Sequence, residues 1–264
     1  MIEIDIVTLN KKIYDTIRGK ASKLIEENAP SNRVFALAQT RSGLKLVGFG
    51  EFKQDLTTSN YMAPTIKGYD HIVKCLSAKE PCGRLVLLQG APGTGKSYMI
   101  RSLVSSINAT FIIVGSNMIA DLSGPAILPL LLDTVERGKP IAFILEDADV
   151  ALADRGSKSG MTHLSGLLNL GDGLLGEMLD VRIIATTNAS KMELDSAIRR
   201  PGRMCQHIEF ESLDIKSATK LYKKLAKTPT AKIKTSLTLA EVYRMAREDG
   251  WVPPKTSKGQ GQYL

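Results

Sequence analysis

Nine consecutive residues have the types and the order of a loop that binds phosphate groups. They are Gly90, Ala91, Pro92, Gly93, Thr94, Gly95, Lys96, Ser97 and Tyr98. The first eight match the pattern G-x-x-x-x-G-K-[ST], and they stand between a predicted strand and a predicted helix. Glycines let backbone N–H groups turn toward phosphates, and the start of a helix adds the positive end of its dipole. We therefore predict a nucleotide site in which Lys96 reaches the β- and γ-phosphates and Ser97 ligates Mg²⁺.

An acidic cluster follows the apolar segment 141–145, in the order Glu146, Asp147, Ala148 and Asp149. Phosphoryl transfer needs a metal ion to neutralise charge and a group that orients the attacking water. A strand end beside the phosphate loop is where both are needed. We predict that this cluster supplies a ligand for Mg²⁺ and a carboxylate that activates water.

Polar and cationic side chains follow the next apolar segment, 181–186. Asn188 stands at its tip, and three arginines, Arg199, Arg200 and Arg203, stand at the end of a short predicted helix that a Pro-Gly pair stops. An amide can hold the attacking water against the γ-phosphate, and a guanidinium can stabilise the charge of the transition state. These residues therefore predict an amide and one or more guanidinium groups that act on the γ-phosphate.

Five short apolar segments alternate with helical segments in the middle of the chain, which predicts an α/β fold whose parallel sheet has helices on both faces. The predicted strands are residues 84–89, 109–114, 141–145, 181–186 and 206–210. Beyond them, two amphipathic stretches, 215–227 and 237–248, predict a small helical lid.

The chain has 264 residues, of which 43% are hydrophobic and 23% charged, as in ordinary soluble globular proteins. We predict a small N-terminal α+β unit over 1–56, with a helix over 10–28 and a hairpin of strands 33–39 and 44–52. The nucleotide-binding domain takes up 57–210, the lid 211–250, and a disordered basic tail 251–264. The region from residue 211 onward has eleven Lys/Arg and five Asp/Glu, a charge that can attract nucleic acid.

No apolar run approaches the length of a membrane-spanning helix, and the first residues lack the pattern of a secretory signal. We therefore expect a cytoplasmic protein with no membrane span. The cysteines, Cys75, Cys82 and Cys205, are odd in number and have no paired spacing typical of zinc ligands, so we interpret them as reduced structural thiols. The histidines, His71, His163 and His207, form no motif.

The order of these motifs resembles the AAA family of ring-forming ATPases over about residues 61–243. Within that family the chain is most similar to the branch that contains the mitochondrial translocase of the Rieske iron–sulfur protein. The shared segments are Leu-Glu-Asp-x-Asp, at 145–149, and Ser-Gly-Leu-Leu-Asn, at 165–169.

The resemblance implies a fold of the P-loop NTPase type, use of ATP and Mg²⁺, and a closed ring, commonly a hexamer. It also implies that Asn188 senses the γ-phosphate and that Arg200 and Arg203 act on the ATP of the neighbouring subunit. Two departures stand out. Most relatives have Asp-Glu where this chain has Glu146-Asp147, so alignment by position implies that Glu146 serves Mg²⁺ and Asp147 activates the water. The segment 121–124 lacks the aromatic pore residue of members that thread polypeptides.

Three functions follow from these features. The leading one is a Mg²⁺-dependent, ring-forming ATPase that couples ATP hydrolysis to remodelling or translocation of a macromolecular client, such as a protein. The basic C-terminal region favours a nucleic-acid-associated loader or accessory ATPase. The exchanged carboxylates favour a slow ATPase that acts as a nucleotide-dependent assembly scaffold. A simple P-loop kinase is disfavoured, because it has no need of an intersubunit arginine pair.

Overall fold

The computed structural model of the chain describes residues 34–50, 54–134, 139–149, 179–189 and 202–253, together with residues 11, 13, 14, 16 and 17. The chain divides into two compact units, residues 1–31 and residues 32–264. In the first unit, the five described residues are helical and lie within the helix predicted over 10–28. The second unit contains the sheet and all of the candidate site.

Seven strands form one sheet in the second unit, in the order β2-β1-β4-β5-β6-β3-β7. The strands are β1 (Val34–Thr40), β2 (Gly43–Gly50), β3 (Leu85–Gly90), β4 (Thr110–Val114), β5 (Ile141–Leu145), β6 (Val181–Thr187) and β7 (Met204–Phe210). The five strands from β3 to β7 pair in parallel and correspond to the five predicted strands. The predicted α/β fold is therefore confirmed.

The predicted strand number is wrong, because the N-terminal hairpin extends the parallel sheet. Strands β1 and β2 pair antiparallel through a turn at Arg41 and Ser42, and β1 pairs in parallel with β4 from Val34↔Phe111 onward. Local turn residues predict the hairpin itself. Its attachment to β4 depends on a contact between residues far apart in the chain, which local patterns do not encode.

Helices cover both faces of the sheet. On one face, helices α1 (Ala63–Ser77) and α2 (Lys96–Ser106) bury their apolar side chains against Val86 and Leu88. On the other, helix α3 (Ile127–Thr134) and a 3₁₀ segment (Ser116–Ser123) pack with Leu85 and Leu87. Successive residues of β3 thus point to opposite faces, as side chains on a strand do. Burial on both faces fixes the position of the loop that follows Gly90.

The predicted lid forms from two helices, α4 (Ile215–Leu225) and α5 (Leu239–Glu248), with a separate apolar cluster between them. Asp214 caps α4, and its side chain accepts a hydrogen bond from the Ser217 N–H. Thr238 and Glu241 form a reciprocal capping box at the start of α5. These caps set the first turn of α5 at Leu239, so the predicted start at residue 237 is two residues too early.

Two of the three cysteines are not free thiols, which corrects the expectation from the sequence. The structure joins Cys75, in α1, to Cys82, in the loop before β3, by a disulfide, whereas Cys205 is a buried free thiol. In the part of the chain that the structure describes, no helix is both long and apolar enough to cross a bilayer.

Candidate nucleotide-binding site

The loop between β3 and α2 follows a path that depends on its glycines. Gly93 and Gly95 have φ angles of 79° and 99°, in the left-handed region where residues with a side chain are strained. A Cβ atom on Gly95 would lie 2.9 Å from Leu239 and 3.1 Å from Tyr61. Gly95 directly precedes Lys96, the first residue of α2, so the loop delivers the chain to the N-terminal end of that helix.

The Lys96 side chain lies across this loop. Its Nζ atom donates to the Gly90 carbonyl at 2.6 Å, to the Ala91 carbonyl at 3.0 Å and to Asn188 Oδ1 at 2.8 Å. Burial lowers the pKa of Lys96, while the charges of Asp147 and Asp149 act in the opposite direction. The ammonium group is therefore held in place by three oxygen acceptors within reach of two carboxylates.

The ends of β5 and β6 meet beside Lys96. Asn188 Nδ2 donates to Asp147 Oδ1 at 2.7 Å, and the Asp147 N–H donates to Thr186 Oγ1 at 3.0 Å. Asp147 has a φ of 50°, a left-handed conformation that costs energy for a residue with a side chain. Asp149 accepts hydrogen bonds from Thr187 Oγ1 and from the Asn188 and Ala189 N–H groups, so it fixes the tip of β6.

These groups surround a cavity of about 310 Å³, which is within the usual range for small-molecule sites. The lining residues are Pro92, Gly93, Gly95, Lys96, Ser97, Tyr98, Glu146, Asp147, Thr186, Asn188 and Ala240. The Ser97 hydroxyl and the Glu146 carboxylate both line it, and such oxygen donors are the ligands that Mg²⁺ prefers. The residues present therefore fit a magnesium-bound nucleotide.

The lid and the segment before α1 contact the phosphate loop, which the sequence analysis missed. The Ala240 N–H donates to the Gly93 carbonyl at 2.9 Å, and the Tyr61 hydroxyl donates to the Gly95 carbonyl at 2.8 Å. The Tyr243 hydroxyl donates to Asn60 Oδ1 at 2.9 Å, which ties the lid to the same segment. No sequence pattern indicates these contacts, because they join residues distant in the chain.

Most of the predicted site residues come together. Pro92, Gly93, Gly95, Lys96, Ser97, Tyr98, Glu146, Asp147 and Asn188 line the cavity, and Gly90, Ala91 and Thr94 complete the loop, where the Thr94 hydroxyl donates to the Ala91 carbonyl at 2.8 Å.

Of the two predicted arginines, the structure describes Arg203. The Arg203 carbonyl accepts from the Leu85 N–H at the opposite end of β3, and Arg203 is 7% exposed. Arg203 does not line the cavity of its own chain. Arg200 and the segment 165–169 lie outside the described residues.

A parallel sheet of order β4-β5-β6-β3-β7, with a glycine-rich loop and a lysine after β3 and carboxylates after β5, defines a P-loop nucleotide-binding domain. Residues 86–212 match the model of the ATPase family associated with various cellular activities (AAA). The chain therefore contains an AAA ATPase domain, which confirms the family resemblance at this level. The match begins in β3 and ends just after β7.

Known proteins are similar to part of this chain. A 26S proteasome regulatory subunit 4 homolog of Schizosaccharomyces pombe is 31% identical over 156 residues, which cover 56% of this chain and 34% of the relative. The protein HYPER-SENSITIVITY-RELATED 4 of Arabidopsis thaliana is 37% identical over 139 residues, 47% of this chain and 23% of the relative. An AAA-ATPase of Arabidopsis thaliana is 35% identical over 134 residues, which cover 46% of this chain and 26% of the relative. The chain thus spans about a third or less of the length of these relatives.

Proposed function

We propose that the chain is a Mg²⁺-dependent ATPase that hydrolyses ATP to remodel or translocate a macromolecular client. The observation that carries this proposal is the pair of hydrogen bonds through which Asn188 joins Lys96 to Asp147 inside the cavity. An ammonium group that neutralises phosphate charge, and a carboxylate or amide that positions the attacking water, are recurring parts of phosphoryl-transfer sites. The AAA domain match and the similarity to proteasome regulatory subunits support the same conclusion.

Each side chain has a distinct role in this proposal. The loop from Gly90 to Tyr98 holds the phosphates through its backbone, and Lys96 neutralises charge on the β- and γ-phosphates. Ser97 and Glu146 hold Mg²⁺, which neutralises charge on the phosphates when bound. Asp147 accepts the proton of the attacking water, and the Asn188 amide holds this carboxylate in position at 2.7 Å. Enclosure by the lid limits access of other water molecules.

We further propose that the site is completed in a closed ring of six copies, by Arg200 and Arg203 of a neighbouring subunit. Arg203 supports this because its backbone hydrogen-bonds to the start of β3, while the phosphate loop follows the end of β3. These points are separated by about 17 Å, given a rise of about 3.3 Å per residue. The burial of Arg203 makes Arg200 the better candidate for direct contact with the neighbour's γ-phosphate.

Mixing two inactive variants tests hydrolysis and ring formation together. The Lys96→Ala chain lacks the phosphate contact but keeps Arg200, and the Arg200→Ala chain lacks the arginine but keeps the loop. In a mixed ring, an intact loop of one subunit meets an intact arginine of the next. We expect each variant alone to lose at least about 10³-fold in ATP turnover, as for removal of such an arginine, and the mixture to regain measurable turnover. A mixture no more active than its components contradicts the shared site.

The client is proposed to be a protein, on the strength of the similarity to a 26S proteasome regulatory subunit 4 homolog. Within the AAA family, we place the chain in the branch that contains the mitochondrial Rieske-protein translocase. We propose that the protein itself acts in the cytoplasm. The segment before α3 supports remodelling without the usual aromatic grip, because Leu122 is fully buried in the core whereas Asp121 beside it is exposed. ATPase stimulation by a partly unfolded protein, measured against the same protein folded, tests this choice.

A nucleic-acid accessory role is the alternative that the charge supports. The region from residue 211 to 264 has eleven Lys/Arg and five Asp/Glu. DNA that binds with a steep salt dependence and stimulates the ATPase favours this alternative. The absence of both effects favours a protein client.

A further inference from the structure

Three side chains lie close together at the end of the sheet opposite the cavity, and they have no role in the proposed nucleotide chemistry. They are His71 of α1, Cys82 of the following loop and Cys205 of β7, and their nitrogen and sulfur atoms all lie within 4.8 Å of one another. His71 Nε2 is 3.8 Å from Cys82 Sγ. Cys75 adds a fourth such atom, because its sulfur is bonded to that of Cys82. His71 and Cys75 are four residues apart in α1, so they lie on the same face of the helix.

The backbone holds this cluster together independently of the cysteines. A Cβ atom on Gly83 would lie 2.5 Å from the Cys205 backbone nitrogen, so only glycine permits this close approach of the loop to β7. The Cys82 N–H donates to Cys75 Sγ at 3.1 Å. Such N–H donors stabilise negative charge on sulfur. The fold thus positions Cys82 and Cys205 side by side and supplies a donor to a third sulfur.

We propose that His71, Cys75, Cys82 and Cys205 bind one Zn²⁺ ion when the Cys75–Cys82 disulfide is reduced. Reduction by a thiol or phosphine reductant adds two electrons and two protons and yields two thiols. Each of the three thiols then releases its proton to solvent and binds zinc as a thiolate, and neutral His71 completes the set through Nε2. Three sulfurs and one imidazole nitrogen are a usual ligand set for structural zinc.

The observed separations suit this ion. Zinc bonds of about 2.3 Å to sulfur and about 2.0 Å to nitrogen in a tetrahedron place the ligand atoms roughly 3.5–3.8 Å apart. The distance from His71 Nε2 to Cys82 Sγ is 3.8 Å, and the sulfur of Cys205 is within 4.8 Å of both. Shifts of about 1 Å, which side-chain rotations provide, complete the geometry.

Four protein ligands leave no open position, so the role of this zinc is structural. The disulfide links α1 only to the loop that follows it, whereas zinc also links both of them to β7 through Cys205. The ion would therefore hold α1 and its loop against the start of β7, which pairs with the strand that leads into the phosphate loop.

Zinc analysis of the full chain purified with a phosphine reductant tests the proposal. We expect about one zinc per chain, and after replacement by Co²⁺ an absorption spectrum with sulfur-to-cobalt charge transfer and the visible bands of a tetrahedral site. His71→Ala and Cys205→Ser should each lower the bound zinc at least tenfold. His207→Ala is the matched control, because His207 is also on β7 but lies against Gln89 at 2.8 Å, and it should retain the metal.

The wild-type chain alone keeps the proposal falsifiable if the cysteine variant does not fold. Without reductant, the disulfide removes two ligands, and the bound zinc should fall at least tenfold and return after reduction. Less than about one tenth of an equivalent in reduced wild-type protein overturns the proposal. Equal zinc content with and without the disulfide, or full retention by folded His71→Ala, also overturns it.

Discussion

The Asn188 side chain donates a hydrogen bond from Nδ2 to Asp147 Oδ1 at 2.7 Å, across the ends of two adjacent parallel strands. Its other amide atom, Oδ1, accepts from Lys96. A single amide therefore sets the relative position of a carboxylate and an ammonium group that come from different elements. Only a side chain with one donor and one acceptor in the same plane can serve both neighbours.

Replacement of Asn188 should lower turnover more than nucleotide binding. In Asn188→Ala, Asp147 loses the donor that orients it, and we expect kcat to fall about 10²-fold, as when one positioned donor is removed from a reaction site. Asn188→Asp should be at least as impaired, because its carboxylate repels Asp147 although it still attracts Lys96. Single-turnover hydrolysis and the Kd for ATP, measured on both variants, separate the two effects. Wild-type turnover in Asn188→Asp would show that the contact has no catalytic role.

Replacement of the two adjacent carboxylates, Glu146 and Asp147, should have different effects on catalysis and on metal binding. Asp147→Asn removes the proposed base and should reduce kcat at least about 10²-fold while the Kd for ATP stays within a factor of about three. Glu146→Gln weakens the proposed metal ligand and should raise the Mg²⁺ concentration needed for half-maximal activity. A magnesium titration of both variants distinguishes them. The reverse pattern would exchange the two roles.

The order of these carboxylates also bears on the speed of the enzyme. Turnover near background in the wild-type chain, together with faster turnover in a Glu146→Asp/Asp147→Glu double variant, would identify a slow scaffold ATPase. Fast wild-type turnover supports the remodelling role.

A methyl group at position 93 should disturb the contact between the lid and the phosphate loop. Gly93 has a φ of 79°, and an added Cβ would lie 3.0 Å from the Ala240 Cβ atom. We expect Gly93→Ala to weaken ATP binding at least tenfold. Gly43→Ala is the matched control, because Gly43 has a φ of 111° but nothing within 4 Å of the new atom. Backbone strain should lower the unfolding free energy of Gly43→Ala by about 1–2 kcal/mol, while its affinity for ATP stays unchanged. Equal loss of affinity in both variants would point to general destabilisation.

Acid should destabilise the lid through Glu241. The hydrogen bonds from the Thr238 backbone and hydroxyl, with a smaller effect of Arg244, hold the pKa of Glu241 below its usual 4.5, against a small opposing effect of burial. A lowered pKa in the folded state means that this stabilisation is complete above about pH 4.5 and is lost as pH falls below it.

Glu241→Gln isolates this contribution, because glutamine still accepts the Thr238 N–H but does not titrate. Urea unfolding at pH 7 and pH 4, followed by tryptophan fluorescence, should show a smaller acid-induced loss in the variant than in the wild type. Trp251 is a suitable reporter because its ring packs edge-to-face on Tyr243 of α5, at 4.9 Å between centroids. An identical loss in both proteins would assign the acid sensitivity to other carboxylates.

The sequence predicts the elements that carry the candidate site because they are locally encoded. Strand β5 has the predicted limits, Ile141–Leu145, since a continuous apolar run ends abruptly at Glu146. The phosphate loop is recognisable from eight residues because backbone geometry requires glycine at fixed positions. Asn188 is also predicted as a site residue from local sequence, because it directly follows a buried strand.

Contacts between distant segments are not encoded in this way. The pairing of Val34 with Phe111 adds a hairpin to the sheet, and no spacing in either segment indicates it. The cysteines are a similar case. Cys205 is far from Cys82 in the chain, and they meet because β3 pairs with β7 and because Gly83 lets the backbones approach closely. Spacing alone therefore gave the wrong interpretation of the thiols.

The hydrogen bond from the Ala240 N–H to the Gly93 carbonyl joins two main-chain groups, so any residue except proline can form it at position 240. The size of the side chain at position 240 matters instead, because the Ala240 Cβ atom would lie only 3.0 Å from a Cβ atom on Gly93. Substitutions at position 240 should be tolerated according to bulk and not polarity. Homologous chains can therefore keep this contact between the lid and the phosphate loop without sharing a residue type at position 240.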